Sequence, residues 1–245
     1  MLLALMYHRV GYGKHATPLH TLIDHFTLLK DYPILLPGDP IPQGQLSFCL
    51  TFDDAFFDFY HLVFPLLQKF QLPAVLGVPT RYIVESTVAS PQERLAVPYA
   101  LAMQDGIFDT KAPLCTWSEL QDLAYSKLIH IASHSYSHGN LTFPFMNLEQ
   151  EVICSKKILE ERLSKNISSF IFPFGRTHRQ LNHYVAQHYT YSFRIGRACN
   201  FSWTTPLAPM CRVCADNTTL KELLSPKHKC FYFAKGLIER CLKQR

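Results

Sequence analysis

The stretch Leu46-Ser47-Phe48-Cys49-Leu50-Thr51-Phe52-Asp53-Asp54 is a run of apolar and strand-favouring side chains that stops on two adjacent carboxylates. A near-continuous apolar run, rather than strict alternation, is the pattern of a strand covered on both faces, as in a parallel sheet. Six further runs read the same way, at 2–7, 74–78, 128–133, 169–172, 191–195 and 210–213. Helical periodicity fills the intervals at 19–29, 57–70, 117–125, 148–163, 177–187 and 218–224. This βα alternation predicts an α/β fold, and seven strands suit a closed or nearly closed barrel better than an open sheet. In such a barrel the reactive side chains stand where strands end. His8 ends the first run, Asp53 and Asp54 the second, His134 and His138 follow the fourth, and Phe174-Gly175 follow the fifth.

The composition bounds what this fold serves. Of 245 residues, 48% are hydrophobic and 18% charged, below the roughly 25% charged share of ordinary soluble domains, which excludes a disordered or polyelectrolyte chain. The segment 85–114, with Pro91, Pro98 and Pro113, breaks the βα rhythm and reads as an insertion over one rim; with no linker-like stretch, 1–245 reads as a single domain. The formal charge is +5, yet six of the 24 cations and one of the 19 acids fall in 226–245, leaving 18 of each sign elsewhere. A neutral body argues against a nucleic-acid partner. In the tail, Phe231, Ala234, Leu237, Ile238, Cys241 and Leu242 recur at helical spacing, with Lys235, Arg240 and Lys243 between them. This predicts a basic C-terminal helix docked on the core by that stripe, with weak membrane-surface contact as the lesser reading. No run approaches the ~20 apolar residues of a transmembrane span. The opening 1–6 is too short for an export signal and lacks a basic leader, so the chain reads as cytoplasmic and its eight cysteines as thiols. Cys211-Arg212-Val213-Cys214 lacks the second pair of a zinc ribbon and reads as a strand with packed thiols.

Three segments carry chemistry. Thr51-Phe52-Asp53-Asp54, taken alone, reads more readily as a helix cap than as a site, although two adjacent buried carboxylates call for a cation. His134-Ser135-Tyr136-Ser137-His138 places two imidazoles four residues apart just beyond a strand, able to converge on one ion. Two histidines and one carboxylate make the three-ligand set of a hydrolytic zinc site, which leaves the other carboxylate free as a base. Phe172-Pro173-Phe174-Gly175 reads as a β-turn whose backbone N–H groups face a cavity.

Together these segments resemble the ordered motifs of the polysaccharide deacetylase family, carbohydrate esterase family 4: its Thr-Phe-Asp-Asp, His-Ser/Thr-x-x-His and aromatic-Pro-aromatic-Gly motifs. The resemblance spans about residues 2–215 and implies a distorted (β/α)7 barrel that removes an N-acetyl group from a hexosamine with one divalent metal, zinc first, then cobalt, nickel or iron. It implies Asp53 as general base, Asp54, His134 and His138 as metal ligands, Ser135 as the residue ordering the ligand loop, and the Phe174 N–H, between Pro173 and Gly175, as oxyanion donor. Leu5-Met6-Tyr7-His8-Arg9-Val10 is similar to the N-terminal Tyr-His segment of circularly permuted poly-N-acetylglucosamine deacetylases, which implies His8 as the acid. Many members carry an arginine where this chain has Ile171, so tuning of the base falls to Arg9, Arg176 or Arg212, the last in a Pro-x-x-Arg segment like that of related members. Trp203 is the candidate hydrophobic wall and Asp216 the candidate partner of the acid. The expected substrate is an N-acetylated sugar or glycan precursor met in the cytosol. Alternatives are a deformylase or cyclic-amide hydrolase on another C–N bond, and a catalytically silent sugar-binding protein that kept the fold.

Overall fold

The computed structural model describes residues 1–204 and 208–242, with the side chain of Leu242 left out. Seven parallel strands close into a barrel: β1 (Leu2–Tyr7), β2 (Ser47–Phe52), β3 (Ala74–Val78), β4 (Ile129–Ser133), β5 (Ser169–Ile171), β6 (Tyr191–Ile195) and β7 (Met210–Cys214). Each pairs with its sequence neighbours, and β7 returns to β1 through Ala4↔Arg212, Leu5↔Val213 and Met6↔Cys214. The barrel is weakest between β4 and β5, which share one registered pair, Ser133↔Phe170.

Strand alternation sorts the side chains. Ala4, Cys49, Val75, Ala132, Ile171, Phe193 and Met210, one from each strand, meet in the barrel interior with Leu2. Small residues on β1 and β4 make room for Phe193, so the narrow barrel is filled rather than hollow. The opposite faces join the helices in one larger core that includes Leu5, Phe48, Leu76, Phe170 and Val213. Two residues further along the strands the interior parity delivers Thr51, Gly77, His134 and Arg212 to the C-terminal rim, and four residues further His8 and Asp53. Gly77 packs closely there: a Cβ would come within 2.9 Å of the end of the Ile171 side chain and 3.4 Å of His134.

The helices are α1 (Leu19–Leu29), α2 (Phe64–Phe70), α3 (Pro91–Ala96), α4 (Phe108–Lys111), α5 (Trp117–Tyr125), α6 (Ser155–Leu163), α7 (Arg179–Ala186), α8 (Leu220–Leu223) and α9 (Pro226–Leu242). Phe59–Val63 and Glu149–Cys154 are π-helical turns that lead into α2 and α6. The 85–114 segment is anchored to the body by buried Arg94, which makes a two-pronged pair with Glu119 (2.7 and 2.8 Å), donates to the Ala112 and Leu114 carbonyls, and lies over Phe57. A second tie runs from Arg9, which donates to the carbonyls of Val97 (2.7 Å) and Leu95 (3.1 Å).

The tail is a helix, but not with the face that its periodicity suggests. Tyr232 and Gly236 are buried, Glu239 pairs with Arg194 on β6, and a Cβ at Gly236 would meet the Cys199 carbonyl at 2.6 Å. The close approach permitted by glycine rotates the helix so that Phe231, Ala234, Leu237, Ile238 and Cys241 face outward. Lys243 and Arg245 lie outside the described residues. Among the described residues no helix is long and apolar enough to cross a membrane.

Candidate active site

Asp53 and Asp54 leave β2 in opposite ways. Asp53 continues the strand parity into the rim, while Asp54 adopts φ +71° and turns back beside it. A positive φ in a buried non-glycine residue costs about 1–3 kcal/mol and persists where the surroundings over-determine it. Ser135 (φ +68°), His138 (φ +54°) and Phe174 (φ +57°) share the feature, so four of the motif residues are held in the left-handed region.

Asp54, His134 and His138 converge. Asp54 Oδ1 lies 3.5 Å from His134 Nε2 and 3.2 Å from His138 Nε2, and the three donor atoms fall within 4.8 Å of one another. Asp54 Oδ1 is buried without a hydrogen-bond partner, while Oδ2 accepts from the Tyr99 hydroxyl (2.9 Å). An orphaned carboxylate oxygen between two imidazole nitrogens is costly unless a cation joins them. His134 Nδ1 is 2.9 Å from the Ile171 carbonyl, which accepts its N–H and so leaves the Nε2 lone pair facing Asp54. Burial pushes the His134 imidazole down to about 4, which keeps it neutral. This donor set fits a divalent metal.

The loop from His134 to His138 is tied at two points. Ser135 Oγ accepts from the His138 N–H (3.0 Å). Buried Glu151, on the π-helical turn, accepts from the Tyr136 and Ser137 N–H groups (3.1 and 2.9 Å) and the Ser137 hydroxyl. Glu151 reaches the loop from the π-helical turn Glu149–Cys154, and no local motif marks it in the sequence.

Asp53 is gripped from β7. Arg212, fully buried, donates to both its oxygens (2.6 and 2.8 Å) and to Thr51 Oγ1 (3.1 Å). Burial alone would raise the Asp53 carboxyl, but Arg212, then His134 and His8, hold it well below the usual carboxylate range. Of the three candidate arginines it is Arg212 that grips Asp53, while Ile171 belongs to the barrel interior. Arg9 instead pairs with Asp58 (3.5 Å), and Arg176 is exposed beyond the turn.

His8 stands on the other side of Asp53, its Nε2 3.9 Å from Asp53 Oδ2, the same distance as His134 Nε2. Its Nδ1–H donates to Asp216 Oδ2 (2.6 Å), and Asp216 Oδ1 accepts from the His8 N–H and the Thr17 hydroxyl. Burial pushes the imidazole down, but the Asp216 hydrogen bond and the charges of Asp53 and Asp54 outweigh it and raise His8 to about 9. His8 is therefore protonated at neutral pH.

Pro173–Gly175 form a single tight turn, closed by Gly175 N–H to Phe172 O and Arg176 N–H to Pro173 O, which leaves the Phe174 N–H outside those bonds. Gly175 combines φ +63° with Ile195 atoms 2.6 Å from where a Cβ would stand. The Phe174 ring is 56% exposed and packs 4.9 Å from His138.

Trp203 is not brought to this rim. Its indole N–H donates to Asp39 O (2.6 Å) and its ring stands with Leu35, Leu36, Ile41 and Tyr191 at the opposite, N-terminal mouth of the barrel, which it plugs. The aromatic side chain at the rim is Tyr99 of the 85–114 segment, 4.9 Å from the His15 ring and 6.2 Å from His8. Between residues 9–16 and 95–99 an open cleft of about 360 Å³ runs past Tyr99 and His15.

A closed parallel barrel with carboxylates and imidazoles gathered on its C-terminal rim is the architecture of a (β/α)7 deacetylase. The polysaccharide deacetylase pattern matches residues 42–193, more than half of the chain, and the chain belongs to that family. The poly-beta-1,6-N-acetyl-D-glucosamine N-deacetylase of Escherichia coli (strain K12) is 34% identical over 100 residues, 41% of this chain and 13% of that protein, so the match spans a small part of the relative. BC0361, a polysaccharide deacetylase from Bacillus cereus, superposes with a TM-score of 0.72 at 20% identity, over 91% of this chain and 68% of that one. IcaB from Ammonifex degensii gives 0.66 at 17% identity, over 86% and 91% respectively. At these identities the structural likeness is one of fold.

Proposed function

We propose that the protein hydrolyses the N-acetyl amide of an N-acetylhexosamine unit, with Asp54, His134 and His138 holding a divalent metal. The observation that carries this reading is the bare Asp54 Oδ1 facing two imidazole nitrogens, beside a second carboxylate that a buried arginine keeps ionised. Zinc suits two histidines and a carboxylate, and cobalt, nickel and iron suit them too. When bound, such an ion supplies Lewis-acid polarisation of the acyl oxygen and a water acidified toward a pKa of ~7.

The chain's own residues do the rest. Asp53, anionic across the working pH range, takes the proton of the attacking water; being a weak base, it depends on that water being acidified. The Phe174 N–H donates to the oxygen of the tetrahedral centre. His8, charged and aimed by Asp216, gives its proton to the departing amine, without which nitrogen is a very poor leaving group. The cleft lined by Tyr99 and His15 provides room for the sugar. We take the substrate to be an N-acetylated precursor met in the cytosol, a reading that subcellular fractionation tests. For the hydrolysis itself, the test is divalent metal content together with acetate release from a panel of N-acetylated sugars. Asp53→Asn is expected to lower turnover on the order of 10²–10⁴-fold. A protein without stoichiometric metal, whose Asp53→Asn variant equals the wild type on every substrate, would leave only the silent sugar-binding reading.

The acid makes its own prediction. The rate requires protonated His8, so it falls as pH rises through the elevated His8 value. Asp216→Asn removes the main contact raising that value, so the alkaline limb of the kcat profile should move to lower pH. An alkaline limb at the wild-type position in this variant would show that His8 is not the group titrating.

A further inference from the structure

We infer that α9 is an interfacial helix that lays the protein on an anionic lipid surface. The segment 226–245 carries the entire net charge of the chain, six cations against Glu239, while the remainder balances at 18 of each sign. The structure disposes of that single acid: Glu239 is turned inward onto Arg194, at 2.8 and 2.9 Å from its Nη2. The solvent side of the helix is left with no carboxylate of its own.

What it presents instead is an apolar stripe. Phe231 is 46% exposed, Leu237 41% and Ile238 59%, with exposed Ala234, Cys230 and Cys241 filling the same side. At 100° per residue, the buried Tyr232 and Gly236 define one side of the helix, and Ala234, Leu237 and Cys241 project from the opposite side. Cations stand at both margins of the stripe. Lys229 and Arg240 flank it on one side and Lys235 on the other, with Lys227 near its start. Arg240 rests over the Phe201 ring at 5.8 Å, while Lys235 and the neighbouring Arg197 lie over Phe231 at 6.0 and 5.9 Å. Long basic side chains draped along aromatic rings, with their heads beside an apolar stripe, are arranged to meet phosphate headgroups while the stripe enters the acyl boundary.

Charge selects the occupant. A second copy of the same face would bring cations against cations, which costs free energy. An anionic bilayer satisfies the apolar and the basic elements at once, and each Lys or Arg near such a surface adds to the attraction. A helix with this many cations lies on a bilayer and does not span it. The inference stands on α9 alone and does not depend on the reaction proposed for the barrel.

The experiment is cosedimentation of the full chain with vesicles of phosphatidylcholine alone and of phosphatidylcholine mixed with phosphatidylglycerol, at low and high salt. Binding is expected to be roughly 10²-fold tighter on the mixed vesicles at low salt and to weaken as salt is added. The double substitution Leu237→Asp and Ile238→Asp should abolish it, and Lys229→Glu with Arg240→Glu should remove the preference for phosphatidylglycerol. Because these side chains are exposed, the thermal midpoint of each variant, measured alongside, should match the wild type. Equal binding to both vesicle types, or none to either, overturns the inference. A dimer in sedimentation equilibrium that Leu237→Asp with Ile238→Asp dissociates also overturns it, in favour of a second copy.

Discussion

Arg212→Met is expected to destabilise the protein by about 3–5 kcal/mol and to remove the proposed hydrolytic activity, because the substitution takes from a buried carboxylate the only group bonded to both of its oxygens. In the wild type both carboxylate oxygens are bonded to the guanidinium, so the folded-state value lies below the unfolded ~3.9. A depressed carboxylate contributes stability that is present above the unfolded value and is lost as pH falls through the folded one, below the ordinary carboxylate range. Without Arg212 the sign reverses. Burial, opposed now only by His134 and His8, then raises the carboxyl, so the variant loses stability as pH climbs above the unfolded value and Asp53 is no longer held ionised as a base. Denaturant titrations from pH 4 to 7 should therefore show the gap between variant and wild type widening with pH. Arg212→Lys restores charge but not the two-pronged grip, and should recover only part of the loss. The pair Arg212→Met with Asp53→Leu should regain much of the stability and none of the activity, which separates the cost of the stranded charge from the catalytic loss. A single variant with wild-type stability and turnover would mean that this ion pair does not set the state of Asp53.

The parts of this site that lie on strands were readable because strand parity is a local property. The period of two that puts Cys49 inside the barrel also puts Thr51 and Asp53 inside, and the same count from Met210 reaches Arg212. All seven strands and the longer helices accordingly fall where apolar runs and periodicity place them. What parity cannot supply is contact between distant segments. Ile171 hides the source of the missing arginine because Arg212 stands on β7, beside β1 and separated from β5 by β6, a neighbourhood that only the closed barrel creates. Tyr99 and Glu151 went unseen for the same reason: one arrives on a segment anchored by Arg94, the other on a π-helical turn, and neither has a sequence signature. Trp203 is the candidate hydrophobic wall only through the family resemblance, and its packing with Leu35, Leu36, Ile41 and Tyr191 places it away from the acid. The outward turn of α9 depends on Gly236 against Cys199, a fit at one glycine that a stripe of apolar residues cannot reveal.

Removing one imidazole from the proposed metal cluster should have the largest effect of all, and the structure ranks the substitutions. His134→Ala is expected to abolish both turnover and stoichiometric zinc binding, because it takes away a donor that the Ile171 carbonyl has already fixed in the right tautomer. His138→Ala should do the same, but with less damage to folding, since His138 is at the cluster's exposed edge whereas His134 is 1% exposed. Glu151→Gln tests a different level. It leaves all three donors in place and loosens the loop that carries His138, so zinc affinity should fall by about 10–100-fold with turnover recoverable at high zinc. Zinc titration calorimetry on the wild type and the three variants separates these outcomes. In the metal-free state the order of stability is informative too. Asp54→Asn relieves the uncompensated charge of a buried carboxylate whose Oδ1 has no partner, so the apo variant should be at least as stable as apo wild type while failing to bind zinc. Stability gained on losing a charged side chain is the signature expected of a ligand cluster that folds in wait of its ion. A His134→Ala protein that still binds one zinc as tightly as the wild type would remove the cluster from the mechanism.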